Sequence, residues 1–214
     1  MNADFWHNIW QNNHIGFHEK QPNQLLLKHF HTLNLESGDR VFLPLCGKTL
    51  DLAWLLSQGV KVVGVELSQL AIEQLFEALE ITPDVTEIQG NKGVLLRYSA
   101  ENIDVFVGDI FDLNNQIIGP VDAIYDRAAL VALPADLRPV YTQHLQTLTA
   151  YAKQLLIVFE YMQDEMSGPP FAISSEMVHR YYQNKYQIQL LERQSVKGGL
   201  KGRCAANEVI WQLS

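Results

Sequence analysis

The sequence predicts an α/β fold, a sheet of five parallel strands with an antiparallel C-terminal ending and helices on both faces. Two observations carry this reading. Short apolar runs (Val41 to Leu43, Val60 to Val65, Ile103 to Val107, Val121 to Tyr125, Leu155 to Phe159) alternate with helical segments, and near-continuous apolar strands suit a sheet covered on both sides. The last two strands, about Gln187 to Ser195 and Ala205 to Gln212, are joined only by the glycine-bearing stretch Val196 to Arg203. That connection is too short for a crossover helix, so these strands pair antiparallel.

Taken in order, Asp4 to Gln11 reads as a short helix with Asp4 as N-cap, and Trp6 and Trp10, four apart, share one face. Such a pair packs into a core or covers a ligand. The glycine-marked loop Ile15-Gly16-Phe17-His18 precedes a helix from about Pro22 to Leu33. The first strand enters Pro44-Leu45-Cys46-Gly47-Lys48, the helix Thr49 to Gln58 stops at Gly59, and the second strand delivers Glu66. Ser68 caps a helix through about Leu79, and Asn91-Lys92-Gly93 turns a hairpin inserted at the sheet edge within Val85 to Ser99. The third strand ends at Gly108-Asp109-Ile110-Phe111 and the fourth at Asp126-Arg127. A helix over Ala135 to Ala152, the fifth strand with its exit at Glu160-Tyr161, a stiff Gly168-Pro169-Pro170-Phe171 loop and a helix over Ser175 to Asn184 complete the count.

The chain has 214 residues, nearly half of them apolar, which suits a single domain over 1–214 with residues 1–35 as an N-terminal helical lid. Net charge is −8 with no basic run, so a nucleic-acid partner is not expected. No window approaches the apolar length of a membrane span, and the first residues lack the pattern of a secretory leader. Cys46 and Cys204 offer neither a disulfide framework nor a metal spacing, and the histidines show no H-E-x-x-H pattern. No metal is expected, and the cytoplasm is the default compartment. Nothing in the pattern argues against a monomer.

The β-α-β unit from Arg40 to Glu66 suggests the chemistry. Ligands of such sheets bind beyond the carboxyl ends of the strands, where a glycine turn lets the backbone approach and an acid about 20 residues on meets ribose hydroxyls. Gly47 and Glu66 stand in those places, yet the G-x-G-x-x-G fingerprint is absent. A nucleoside ligand without a pyrophosphate fits better than a dinucleotide, and S-adenosylmethionine is the candidate. The plainer alternative is a turn glycine and a solvated strand end.

Phe5-Trp6, Trp10, Phe17-His18, Pro44-Leu45-Cys46-Gly47-Lys48, Val63-Gly64-Val65-Glu66-Leu67-Ser68, Ile110-Phe111-Asp112-Leu113, Asp126-Arg127-Ala128-Ala129-Leu130 and Gly168-Pro169-Pro170-Phe171 together resemble the thiopurine S-methyltransferases, in order from the first helix to the last strand. The resemblance is to the bacterial form, which lacks the longer N-terminal extension of animal members. It implies a Rossmann-like class I methyltransferase that moves the methyl group of S-adenosylmethionine to the sulfur of thiopurines and other aromatic or heterocyclic thiols. Trp10, Leu45, Gly47, Glu66, Asp109, Ile110 and Arg127 are then the expected cofactor contacts. Arg127 is also expected to position the acceptor as an anion, with Trp6, Phe17 and Phe171 around its ring. Lys197, Lys201 and Arg203 are candidates for a second cation at the acceptor. A heteroaromatic thiol is already substantially ionised near neutral pH, so no strong base is required. Cys46 is not expected to act as a nucleophile, although a nearby helix N-terminus could lower its pKa. Related readings are a methyltransferase for halide, thiol or a selenium or tellurium oxyanion, an NAD(P)-dependent oxidoreductase, and a non-catalytic nucleoside-binding module.

Overall fold

The structure, a computed structural model, describes residues 3–16 and 18–214. Helix α1 (Ala3–Gln11) and helix α2 (Gln24–His29) precede strand β1 (Arg40–Leu43). Then follow α3 (Leu50–Ser57), β2 (Lys61–Glu66), α4 (Gln69–Ala78), the hairpin of β3 (Asp84–Gln89) and β4 (Val94–Ala100), and β5 (Ile103–Val107). The short α5 (Asn115–Ile118), β6 (Ala123–Arg127), α6 (Arg138–Leu148), β7 (Lys153–Tyr161), α7 (Ser175–Tyr182), β8 (Ile188–Ser195) and β9 (Ala206–Leu213) complete the order.

Among the described residues the strands form one sheet in the order β3-β4-β5-β2-β1-β6-β7-β9-β8. The pairs β5·β2, β2·β1, β1·β6 and β6·β7 are parallel, which gives the five parallel strands expected. The hairpin extends the β5 edge, and β9 runs antiparallel to both β7 and β8. Side chains alternate across the strands. Phe42, Ile124, Leu156 and Val158 face the core beneath α6 and α7, while Val41, Leu43, Tyr125, Leu155 and Ile157 face the core beneath α2, α3 and α4. The central parallel strands are thus buried on both faces, and their apolar runs are near-continuous for that reason, whereas the edge strands β3 and β8 are largely exposed.

Several boundaries differ from the sequence reading. Asp4 lies inside the first turn of α1, where its charge favours the positive end of the helix dipole, and is not the cap. The expected helix 22–33 divides into α2 and a 3-10 turn, Phe30–Leu33, and starts at the cap Asn23, whose side chain accepts from the N–H groups of Leu25 and Leu26. Helix α6 is shorter than expected; Pro139 sits in its first turn, where its missing N–H costs nothing. Strands β6 and β7 run two residues further, so Asp126-Arg127 and Glu160-Tyr161 are strand residues rather than loop. That extension carries Arg127 to the rim of the site.

Candidate active site

A cavity of about 700 Å³ opens at the carboxyl ends of β1, β2, β6 and β7. Phe5, Trp6, Ile9 and Trp10 of α1 line one side; Leu45, Gly47 and Glu66 line another, and Tyr125, Arg127 and Ala128 a third. Gly168, Pro169 and Pro170 and the β8–β9 connection, with Val196, Lys197, Leu200 and Lys201, complete the wall. Its volume lies within the roughly 300 to 1,000 Å³ of small-molecule sites.

The turn after β1 is built for close approach. Leu45 and Gly47 both have positive φ, +46° and +53°. A Cβ on Gly47 would stand 3.0 Å from the Trp10 ring, so glycine is required both by conformation and by the indole lying over it. Trp10 is 4% exposed and roofs that turn. Of the two readings of the Trp pair, the geometry gives both at once: Trp10 is buried, and Trp6 and Trp10 line the cavity.

Glu66, the last residue of β2, is buried, and each carboxylate oxygen accepts one backbone N–H: Gly47 N–H to Oε2 and Ser68 N–H to Oε1, both at 2.9 Å. Burial pushes its carboxyl above the usual carboxylate range, and the N–H groups of Ser68, Gly47 and Leu67 oppose that rise. The free lone pairs of this fixed carboxylate remain available to hydroxyl donors. Cys46, next to it, is driven well above the ordinary thiol pKa by burial and then by the Glu66 charge. The lowering by a helix N-terminus considered from sequence is outweighed, and burial beside Glu66 disfavours the thiolate.

Arg127, the last residue of β6, is held differently. Its Nη2 lies 2.6 Å from Glu19 Oε1 and its Nη1 3.9 Å from Asp51 Oδ2. Asp51 is 1% exposed, and it accepts from the Asn23 N–H (2.7 Å) and the Tyr125 hydroxyl (2.9 Å). Asn23 also donates through its amide to Glu208 (3.0 Å), and Gln194 donates to the other Glu208 oxygen (3.1 Å). Burial pulls against the guanidinium charge, but Tyr125, Glu19, Asp51 and Glu208 outweigh it and hold the pKa up. Arg127 Nε is buried without a hydrogen-bond partner. Burial, followed by Lys48 and Arg127, lowers the pKa of His18, which also lines the cavity.

The other expected residues fall in several places. Asp109 and Ile110 do not line this cavity: Asp109 accepts from the Phe111 N–H at the end of β5, and Ile110 packs in the core beneath α6. Phe171 also lies off the lining, its N–H on the Val131 carbonyl and the Arg138 guanidinium 5.2 Å over its ring. Of the candidate cations, Lys197 and Lys201 line the cavity and Arg203 does not; Lys201 Nζ donates to the Pro169 carbonyl at 2.8 Å. Phe17 lies outside the described residues. The sequence reading missed Glu19, Asp51, Tyr125 and Glu208. Asp51 looks in sequence like an ordinary first-turn acid of α3; the one signal was a tyrosine interrupting the aliphatic run before Asp126-Arg127.

The family model described as Thiopurine S-methyltransferase matches residues 1–210. The chain belongs to the thiopurine S-methyltransferase family. It is 52% identical to a thiopurine S-methyltransferase of Teredinibacter turnerae, over all of this chain and 98% of that protein. With a thiopurine S-methyltransferase of Xanthobacter autotrophicus the identity is 49%, over all of this chain and 99% of that protein. Among solved structures, the fold is similar to an S-adenosylmethionine-dependent methyltransferase of Anabaena variabilis, with TM-score 0.61 and 15% identity over 99% of this chain and 95% of that one. A second is the Burkholderia thailandensis 1,6-didemethyltoxoflavin-N1-methyltransferase, with TM-score 0.64 and 13% identity over 99% of this chain and 87% of that one. Family membership and these neighbours agree on the class I methyltransferase sheet. The donor set of the cavity suits the family's cofactor: Glu66 offers acceptor lone pairs for a ribose, and the positive-φ turn under Trp10 offers backbone at close range.

Proposed function

We propose that this protein transfers the methyl group of S-adenosylmethionine to the sulfur of thiopurines and other aromatic or heterocyclic thiols. The observation that carries the reading is one cavity, in a chain of this family, with a fixed carboxylate at one strand end and a largely buried guanidinium at another. When bound, the cofactor supplies a methyl on a sulfonium, an electrophile ready for in-line displacement by sulfur. Glu66 would accept from the ribose hydroxyls, Leu45 and Gly47 would hold the methionine portion through their backbone, and Trp10 would exclude water. Arg127 holds the acceptor sulfur as an anion, Lys197 and Lys201 add positive charge at the mouth, and Trp6 covers the ring. Asp109 and Ile110, outside the cavity wall described above, would meet the adenine, and Phe17 remains a proposed contact of the acceptor, whereas the Phe171 ring packs under Arg138 and serves the site only through the loop it anchors. No strong base is needed, because an aromatic thiol is substantially ionised near neutral pH. Fixing the sulfur in line with the methyl contributes on the order of 7 to 11 kcal/mol through orientation alone. Residues 1–35 act as the lid over this site. The protein works as a cytoplasmic monomer on a small molecule, without nucleic acid; no helix among the described residues is long and apolar enough to cross a membrane.

Transfer of labelled methyl from S-adenosylmethionine to 6-mercaptopurine tests the reading. Transfer with saturation in both substrates is expected. Cofactor binding without transfer to any aromatic thiol would redirect the assignment to small anionic acceptors.

A further inference from the structure

Arg127 is the buried cation assigned above to the acceptor, and it already carries an anion of the chain itself. Its side chain is 11% exposed, and its Nη2 is 2.6 Å from Glu19 Oε1. The other nearby carboxylates are tied down elsewhere: both Asp51 oxygens accept hydrogen bonds from Asn23 and Tyr125, and both Glu208 oxygens from Asn23 and Gln194. Glu19 differs in place and exposure. It stands on the segment that joins α1 to α2, its side chain is 43% exposed, and it lines the cavity beside Arg127.

An acceptor anion reaching Arg127 from the cavity meets this carboxylate on the same guanidinium, and two like charges in one partly buried seat repel. We propose that Glu19 is an internal competitor of the acceptor: its carboxylate occupies the anion seat on Arg127, and an acceptor binds only by opening that ion pair. This rests on the reading of the site as the acceptor site of a methyltransferase. The closed pair reduces apparent affinity in proportion to the fraction of molecules in which the seat is shut. A small inorganic anion brings only charge to offset the lost pair. A ring-bearing thiolate also buries apolar surface against Trp6, at roughly 25 cal/mol per Å². Glu19 therefore weakens every anion at this seat by the same factor, and an anion carried on an apolar ring offsets that loss through the surface its ring buries.

The test uses the full chain and Glu19→Gln, which keeps the size of the side chain and removes its charge. Steady-state kinetics with 6-mercaptopurine are measured beside calorimetric binding of S-adenosylmethionine and of benzoate, an aromatic anion with no sulfur to methylate, to the cofactor-loaded protein. In the variant the acceptor KM and the benzoate Kd are expected to fall about three- to tenfold, with kcat within about twofold and cofactor Kd unchanged. Unchanged or raised KM and Kd would overturn the proposal, because Glu19 would then merely hold Arg127 in place. A fall in kcat with KM unmoved, or tightening of the cofactor alone, would overturn it as well. If the wild-type chain methylates no thiol, the thiol reading fails by itself, and the benzoate measurement still decides whether Glu19 fills the seat.

Discussion

Glu66 and Arg127 both end a parallel strand, and both are buried charges on one cavity, but they are held in opposite ways. Glu66 is satisfied by backbone: the two N–H groups on its oxygens come from Gly47 and Ser68, in the turns directly after β1 and β2. Arg127 is satisfied by side chains from residues 19 and 51, the second of which is held in turn by residues 23 and 125, and among the described residues its Nε has no hydrogen-bond partner. Backbone donors in tight turns are preorganised and cannot swing away, whereas a side-chain cluster can exchange one carboxylate for another. The first arrangement suits a ligand bound the same way in every turnover. The second suits an acceptor that arrives as an anion and must displace something.

The sharpest way to break this comparison is Glu66→Ala. Loss of charge-assisted bonds to both ribose hydroxyls is expected to weaken S-adenosylmethionine by about 3 to 4 kcal/mol, several hundredfold in Kd by calorimetry; binding within tenfold of wild type would remove Glu66 from the cofactor site. The neighbour of Arg127 supplies the next largest effect. Asp126, fully buried, has its carboxyl pushed up to about 6 by burial, against the Tyr141 hydroxyl and the Leu130 N–H that bond it. The folded state therefore binds this proton more tightly than the unfolded chain. Between about pH 6 and pH 4 the native protein takes up a proton that the unfolded chain, with its pKa near 3.8, does not. Stability from this group rises as pH falls through that window, and the penalty, about 3 kcal/mol, is complete above it. Urea melts of wild type and Asp126→Asn across pH 4 to 7 should show a steeper slope in wild type, the difference being the contribution of Asp126.

Arg127→Ala comes third. Removal of the anion seat should raise the acceptor KM about thirtyfold, near 2 kcal/mol, while kcat at saturation changes less; a large loss of kcat with KM unmoved would place Arg127 in the chemical step instead. The smallest effect is expected for Tyr125→Phe, which deletes one of the two hydrogen bonds to buried Asp51. It should cost about 1 to 2 kcal/mol of stability in a urea melt and loosen Arg127 without moving cofactor affinity. A change in cofactor Kd there would mean that the two ends of the cavity are coupled.

How much was legible in the sequence follows the same division. The five parallel strands were readable because they are buried on both faces and leave near-continuous apolar runs, and the inserted hairpin and the antiparallel ending because short glycine-bearing turns join their strands. Gly47 and Glu66 were readable because they lie in one β-α-β unit, where spacing along the chain translates into position in space. Ser68 was readable as a cap for the same local reason. Glu19, Asp51, Tyr125 and Glu208 were not, because their common neighbour Arg127 is brought to them only by the strand order. Phe171 shows the reverse case: a distinctive loop sequence whose ring packs under Arg138 rather than on the cavity wall.

By itself the sequence determined the element order, the fold class, the family resemblance and the carboxylate at the end of β2, since periodicity, capping and turn chemistry act over a few residues. Only the tertiary structure decided that Trp10 lies over Gly47, that Lys197 and Lys201 rather than Arg203 reach the cavity, and that Glu19 sits on Arg127. Those outcomes depend on charges and rings from distant segments competing for one small buried volume, and such a competition is settled by packing rather than by local pattern.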